Sequence, residues 1–203
     1  MPARGGLRVI AGSARGRVLA GPPGRATRPT AGRLREALFS MLEAADVDFS
    51  STLDLYAGTG ALGIEALSRG AEACTFVEAD PRTAAVVRQN LERTGFLEEG
   101  TVVTGRVGRW RAPDGSAFTL VLADPPYDDG TAWTAIERSV EGALEADATL
   151  VVEHAARRSP PPALAHRPLW RDRRHGDGAV AVYRAATEEQ APDDGDRSSG
   201  EDA

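Results

Sequence analysis

Two short segments about seventy residues apart carry the residue types that could do chemistry: Asp54-Leu55-Tyr56-Ala57-Gly58-Thr59-Gly60-Ala61-Leu62-Gly63 and Asp124-Pro125-Pro126-Tyr127. Each follows an apolar run that reads as a buried strand. The second suits a poor nucleophile. The lone pair of a nucleobase exocyclic amine is delocalised into its ring. Hydrogen bonds from its N–H groups to Asp124 and to a backbone carbonyl, such as that of Pro125, favour a pyramidal nitrogen able to attack. Pro125 and Pro126 stiffen the loop by fixing φ, and Tyr127 offers a face on which a base can stack. Holding both reactants in attack geometry would supply most of the acceleration, so Asp124 need not be a strong base. The competing reading of Asp124 is a carboxylate that caps a turn, since Asp-Pro often starts one.

The first segment reads as a strand-to-helix turn that cradles a nucleotide-like cofactor. Gly58 and Gly60 keep the turn tight and let backbone approach a ligand, with Ala57 and Thr59 beside them. Glu78 ends the next strand, twenty residues after Gly58, and can accept hydrogen bonds from both ribose hydroxyls. Gly58, Gly60 and Gly63 also match a dinucleotide-binding spacing, but that match alone is weak. Asp54, just before the loop, would repel a pyrophosphate, whereas a sulfonium cofactor with a free amino group tolerates or uses a carboxylate. Together the two segments predict methyl transfer from S-adenosylmethionine to an exocyclic amine.

The elements that must position these residues alternate. Strands are expected at 52–57, 74–78, 101–104, 118–123 and 148–153, with helices at 60–69, 82–94 and 131–145, a pattern for a mostly parallel sheet with helices on both faces. The run 163–185 reads as a terminal antiparallel hairpin closing that sheet. Upstream, 7–20 is expected to form a short β-hairpin. Thr30 is expected to cap a helix whose apolar face carries Leu34, Ala37, Leu38, Met41, Leu42 and Ala45. Arg33 and Arg35 fall off that face, toward solvent or ligand. The domain reading is a basic N-terminal extension over 1–46, a catalytic domain over 47–186 and a disordered acidic tail over 187–203.

The chain has 203 residues and a net charge of −6, which hides an uneven distribution. Residues 1–35 hold eight arginines and no acid, while residues 187–203 hold seven acids and one arginine. A basic head of this kind suggests a polyanion contact, and a solvated arm is the plain alternative. One cysteine, Cys74, excludes an internal disulfide and suits a reducing cytoplasm. The three histidines lack metal-ligand spacing, so no metal is expected. No apolar run approaches the roughly 20 residues that span a bilayer.

With Arg28-Pro29-Thr30, Arg33 through Phe39, the stretch 61–71 and Val152-Glu153-His154, these segments resemble the bacterial 16S ribosomal RNA (guanine-N2)-methyltransferase family, RsmD-like, from about Arg8 to Tyr183. The resemblance implies a class I S-adenosylmethionine-dependent methyltransferase (Rossmann-like) fold with a small N-terminal extension. It implies transfer to one guanine N2 of small-subunit ribosomal RNA, within an assembly particle, by a monomeric cytoplasmic enzyme. Carried over by position, Gly58 and Gly60 line the methionine end, Glu78 binds the ribose, and Asp124 through Tyr127 form the acceptor site. The N-terminal arginines Arg8, Arg15, Arg17, Arg28, Arg33 and Arg35 would contact phosphates, which position RNA more than they specify its sequence. The segment departs from the family at Arg106, where relatives place an Asp or Asn able to meet the adenine amine. Three other functions stay in view: a DNA adenine-N6 methyltransferase, a non-catalytic ribosome-assembly factor that keeps the fold, and a nicotinamide-dependent oxidoreductase. The absence of room for a target-recognition domain weighs against the first, and the intact Asp124, Tyr127 and Glu78 against the second. The Asp-Pro-Pro-Tyr motif weighs against the third.

Overall fold

A computed structural model describes residues 6–21 and 29–185, with residues 29–31 described by backbone only. Arg28 and the acidic segment 187–203 lie outside the described residues. Helix α1 (Pro29–Ala44) leads into β1 (Ser51–Leu55), α2 (Ala61–Ser68), β2 (Ala73–Glu78), α3 (Pro81–Thr94) and β3 (Gly100–Thr104). There follow β4 (Phe118–Ala123), α4 (Ala132–Val140), β5 (Leu144–Ala155), β6 (Ala163–Leu164), β7 (Arg167–His175) and β8 (Gly178–Tyr183).

The strands form one eight-stranded sheet in the order β3-β2-β1-β4-β5-β8-β7-β6. β3, β2, β1, β4 and β5 run parallel, and β8, β7 and β6 continue the sheet antiparallel. This is the α/β sheet, closed by an antiparallel hairpin, that the alternation predicts. All six residues of β4 are buried, as a parallel strand covered on both faces requires. Helices α1, α2 and α3 pack one face around Phe39, Leu42, Ile64, Phe76, Val87 and Leu91. Helix α4 covers the other with Ile136 and Val140 against Leu53, Val121, Leu150 and Tyr183.

Local chemistry explains the helix ends. At α3, the Asp80 carboxylate accepts from the Arg82 N–H and Pro81 occupies the first turn. At α2, Gly63 lets the helix lie against β2: a Cβ there would fall 2.4 Å from Phe76 Cε1 and 2.6 Å from Cys74 Sγ.

The order of the chain decides where a ligand can sit. From β1 it winds outward through β2 to the edge strand β3, then returns to place β4 on the other side of β1. In open α/β sheets ligands bind beyond the carboxyl ends of the strands where the winding reverses. Leu55 pairs with Ala123 across that point, and the Asp124 N–H donates to the Leu55 carbonyl at 3.4 Å. The two chemical segments thus leave the sheet side by side.

Several local expectations differ from the structure. The 7–20 hairpin is present but short: an antiparallel bridge joins Arg8 and Val18, the Leu19 and Val9 N–H groups donate to Leu7 O and Arg17 O, and the Ile10, Ala11 and Ala14 N–H groups go to side chains of α2 instead. Helix α1 begins at Pro29, so Thr30 lies inside its first turn. On α1, Ala37 is exposed and Phe39, outside the expected stripe, is fully buried. The helix expected over 131–145 stops at Val140, and Leu144 opens β5 opposite Phe118. The strand expected to reach residue 57 ends at Leu55, since Tyr56 takes φ 58° to start the turn.

Candidate active site

The loop after β1 is held by its own backbone and by two carboxylates, Glu78 and Asp54. Gly58 and Gly60 adopt φ of 56° and 77°, conformations that disfavour a side chain. The Ala57 N–H donates to Val77 O at 3.1 Å and the Gly60 N–H to Ala57 O at 2.7 Å, which closes the turn. Glu78, at the carboxyl end of β2, accepts from the Gly58 N–H and the Asp80 N–H, both at 2.9 Å. Asp54 is buried beneath the loop and accepts from the Gly63 N–H at 2.9 Å. Burial pushes the Asp54 carboxyl well up, opposed by that N–H and reinforced by the charges of Asp124 and Glu78. Thr59 is half-buried, and its carbonyl accepts from Asn90 Nδ2 at 2.9 Å. Arg106 is exposed in the turn after β3, next to Gly105, whose N–H donates to Glu78 O.

The loop after β4 supplies the other wall. Thr59, Ala61, Leu62, Asp124, Tyr127 and Glu153 line one cavity of about 500 Å³. Asp124 lines that cavity and is exposed to it, with its carboxyl set down among protein atoms that desolvate it. Burial and, second, the neighbouring Glu153 carboxylate push it up to about 7. Pro125 is buried, and Pro126 is exposed with its carbonyl accepting from the Asp129 N–H at 2.9 Å. Among the described residues no hydrogen bond is made to the Pro125 carbonyl. Tyr127 is half-buried, and its hydroxyl donates to Glu153 Oε1 at 2.5 Å.

The arginines of the N-terminal extension divide. Arg15 and Arg33 are exposed. The Arg8 guanidinium donates to Gly16 O at 3.0 Å, and that of Arg17 to Arg93 O at 2.8 Å; both side chains lie at the surface. Arg35, expected toward solvent or ligand, is turned from solvent and lines the cavity of Asp124. It is 6% exposed, lies 3.5 Å from the Glu65 carboxylate and donates to Arg8 O at 2.6 Å. Burial lowers its pKa against the opposing pull of Glu65. This guanidinium lies largely inside the protein, and Arg35 lines the same cavity as Asp124.

Glu65 is the residue that sequence reasoning missed. It is fully buried on α2 and accepts from the Ile10 and Ala11 N–H groups at 2.9 and 3.0 Å and from Arg69 Nε at 3.0 Å. Ser68 on the same helix accepts from the Ala14 N–H, and Asn90 on α3 pairs with both backbone groups of Ala20. These three side chains fasten the short antiparallel pairing of the extension to α2 and α3. A lone acid between Ile64 and Ala66 on an otherwise apolar helix was the available signal.

Among the described residues no group of three His, Cys, Asp or Glu could hold a metal ion, and no helix is long and apolar enough to cross a membrane. A glycine loop and an Asp-Pro-Pro-Tyr loop at adjacent strand ends, at the winding reversal of this sheet, define a class I methyltransferase. The chain belongs to the family described as conserved hypothetical protein 95, which matches residues 7–184. It is 35% identical over 183 residues to the ribosomal RNA small subunit methyltransferase D of Escherichia coli, covering 89% of this chain and 90% of that one. The solved structure of the Escherichia coli protein yhhF has a TM-score of 0.73 at 34% identity, covering 90% of this chain and 100% of that one. An RNA methyltransferase of Salinibacter ruber in complex with S-adenosyl-L-homocysteine shares the fold at 22% identity, with a TM-score of 0.53 over 80% of this chain and 97% of that one.

Proposed function

We propose that this methyltransferase transfers a methyl group from S-adenosylmethionine to the exocyclic N2 of a guanine in 16S ribosomal RNA. The observation that carries the reading is the shared cavity, in which Asp124 and Tyr127 face Thr59, Ala61 and Leu62 of the glycine loop. The name of the Escherichia coli relative directs the choice of small-subunit ribosomal RNA.

The residues around the loop fit the donor. Glu78 and Asp124 lie close enough to Asp54 for their charges to act on it, an arrangement that favours a cationic ligand and opposes a pyrophosphate. Glu78 would hold the ribose hydroxyls, the backbone at Ala57 through Gly60 would lie along the methionine portion, and Asp54 would steady the loop from below. S-adenosylmethionine, when bound, supplies an electrophilic methyl on a sulfonium sulfur.

The chain's own work is on the acceptor. The Asp124 carboxylate accepts an N–H of the amine, and the Pro125 carbonyl takes the second, which concentrates the lone pair on nitrogen. Tyr127, tied to Glu153, presents its ring to the base. A proton leaves the nitrogen once the new C–N bond forms, and Asp124 can hold it before water does. Arg15 and Arg33 would contact phosphates. The enzyme would act in the cytoplasm as a monomer, on an assembly particle of the small subunit.

Tritiated S-adenosylmethionine, purified protein and three acceptors test this: undermethylated small-subunit particles, naked 16S RNA and unmethylated DNA. N2-methylguanosine on nucleoside analysis is the expected product. N6-methyladenine in DNA, or no transfer to any acceptor, would refute it.

A further inference from the structure

Glu153 lies on β5 opposite Val180 of β8 and lines the same cavity as Asp124. Its Oε1 is fixed by the Tyr127 hydroxyl. The pair has room because β8 begins with a glycine. A Cβ on Gly178 would sit 2.5 Å from the Tyr127 hydroxyl and 3.5 Å from Glu153 Oε1. Close by, His175 Nε2 is buried without a hydrogen-bond partner among the described residues, and His175 lines this cavity too.

A cavity lined by the carboxylates of Asp124, Glu153 and Asp177, with Arg35 and His175 beside them, matches one nucleobase edge better than the others. Guanine presents two neighbouring donors, N1–H and the N2 amine, and then the O6 acceptor. Adenine presents its amine beside the N1 lone pair, which would confront a carboxylate and leave a buried polar pair unsatisfied. We infer that Glu153 reads the N1–H of the target guanine while Asp124 takes the N2 amine, so that Glu153 selects guanine over bases lacking N1–H. The inference rests on the proposed guanine-N2 activity and names the residue that confers its base choice.

The test compares two RNA fragments. One carries the target guanine, located by mapping wild-type methylation; the other carries 2-aminopurine at that position. 2-Aminopurine keeps the amine on C2 but has neither N1–H nor O6. Wild-type kcat/KM is expected to be about 100-fold lower on the analogue, as for a site built to hydrogen-bond a group that is missing. In E153Q the amide oxygen can still accept from Tyr127, and the NH2 then faces N1 as a donor. Guanine should lose about 100-fold and the analogue should gain, so that the preference collapses or inverts.

Equal turnover of both fragments by the wild type overturns the inference, as does an E153Q protein that slows both by one factor. The wild-type comparison decides alone if E153Q does not fold. Failure of the underlying reading looks different: S-adenosylmethionine binds, yet no RNA acquires N2-methylguanosine, and the inference falls with it.

Discussion

Asp124 should impose a rising pH limb on methyl transfer. Burial and the Glu153 charge push its carboxyl up to about 7, and only the ionised form accepts both the amine hydrogen bond and its proton. For one group at that value, about a tenth of the enzyme is ionised at pH 6, about half at pH 7 and about nine-tenths at pH 8. Thus kcat/KM measured with RNA at constant ionic strength should climb about tenfold from pH 6 to a plateau above pH 8. The limb belongs to the Asp124–Glu153 pair, so E153Q, which removes the like charge, should move whatever activity remains toward acid. Stability should run the other way. The folded protein binds the Asp124 proton more tightly than the unfolded chain, whose carboxylate titrates near about 3.9. This contribution is greatest below that value and is lost as pH rises toward 7. Urea denaturation should show the wild type losing ground to D124N across this window. A kcat/KM flat from pH 5.5 to 8 refutes the role given to Asp124, as does a D124N protein whose stability tracks the wild type at every pH.

Other outcomes follow from the geometry. D124A should reduce transfer by at least about 100-fold while calorimetry shows S-adenosylmethionine affinity nearly unchanged; unchanged turnover would remove Asp124 from the site. E65A leaves the buried Arg35 without its anion and two backbone N–H groups without acceptors, and should cost about 3–5 kcal/mol in denaturant unfolding. G63A forces a Cβ against Phe76 and Cys74 and should cost about 1–3 kcal/mol, read as a lower melting temperature. R15A/R33A should reduce the salt slope of RNA binding by about 2. R35A should instead destabilise the protein without changing that slope, and an altered slope at normal stability would return Arg35 to the RNA.

The sequence by itself determined the class of fold and the chemistry of the two loops. Buried parallel strands must be apolar runs, as 118–123 is, and a tight loop over a ligand must carry glycines, as Gly58 and Gly60 do. Asp124-Pro125-Pro126-Tyr127 announced its chemistry because amine activation needs an acceptor, a stiff backbone and an aromatic face in one place. These are local requirements, and local requirements leave local marks. Tertiary structure alone decided the rest. Leu144 continued a helical stripe but was claimed by β5, since pairing with Phe118 outweighed propensity. Residues 7–20 had the look of a hairpin and pair as a short one, yet the N–H groups of Ile10, Ala11 and Ala14 went to Glu65 and Ser68 more than fifty residues away. Arg35 read as a surface cation and became an internal one for the same reason: a buried Glu65 needs a counter-charge, and its partner is chosen by packing across α1 and α2. Nor could spacing reveal that Glu153 and His175 join Asp124 and Tyr127 at one cavity. That meeting requires β8 to run antiparallel beside β5, and Gly178 to leave space for the tyrosine hydroxyl.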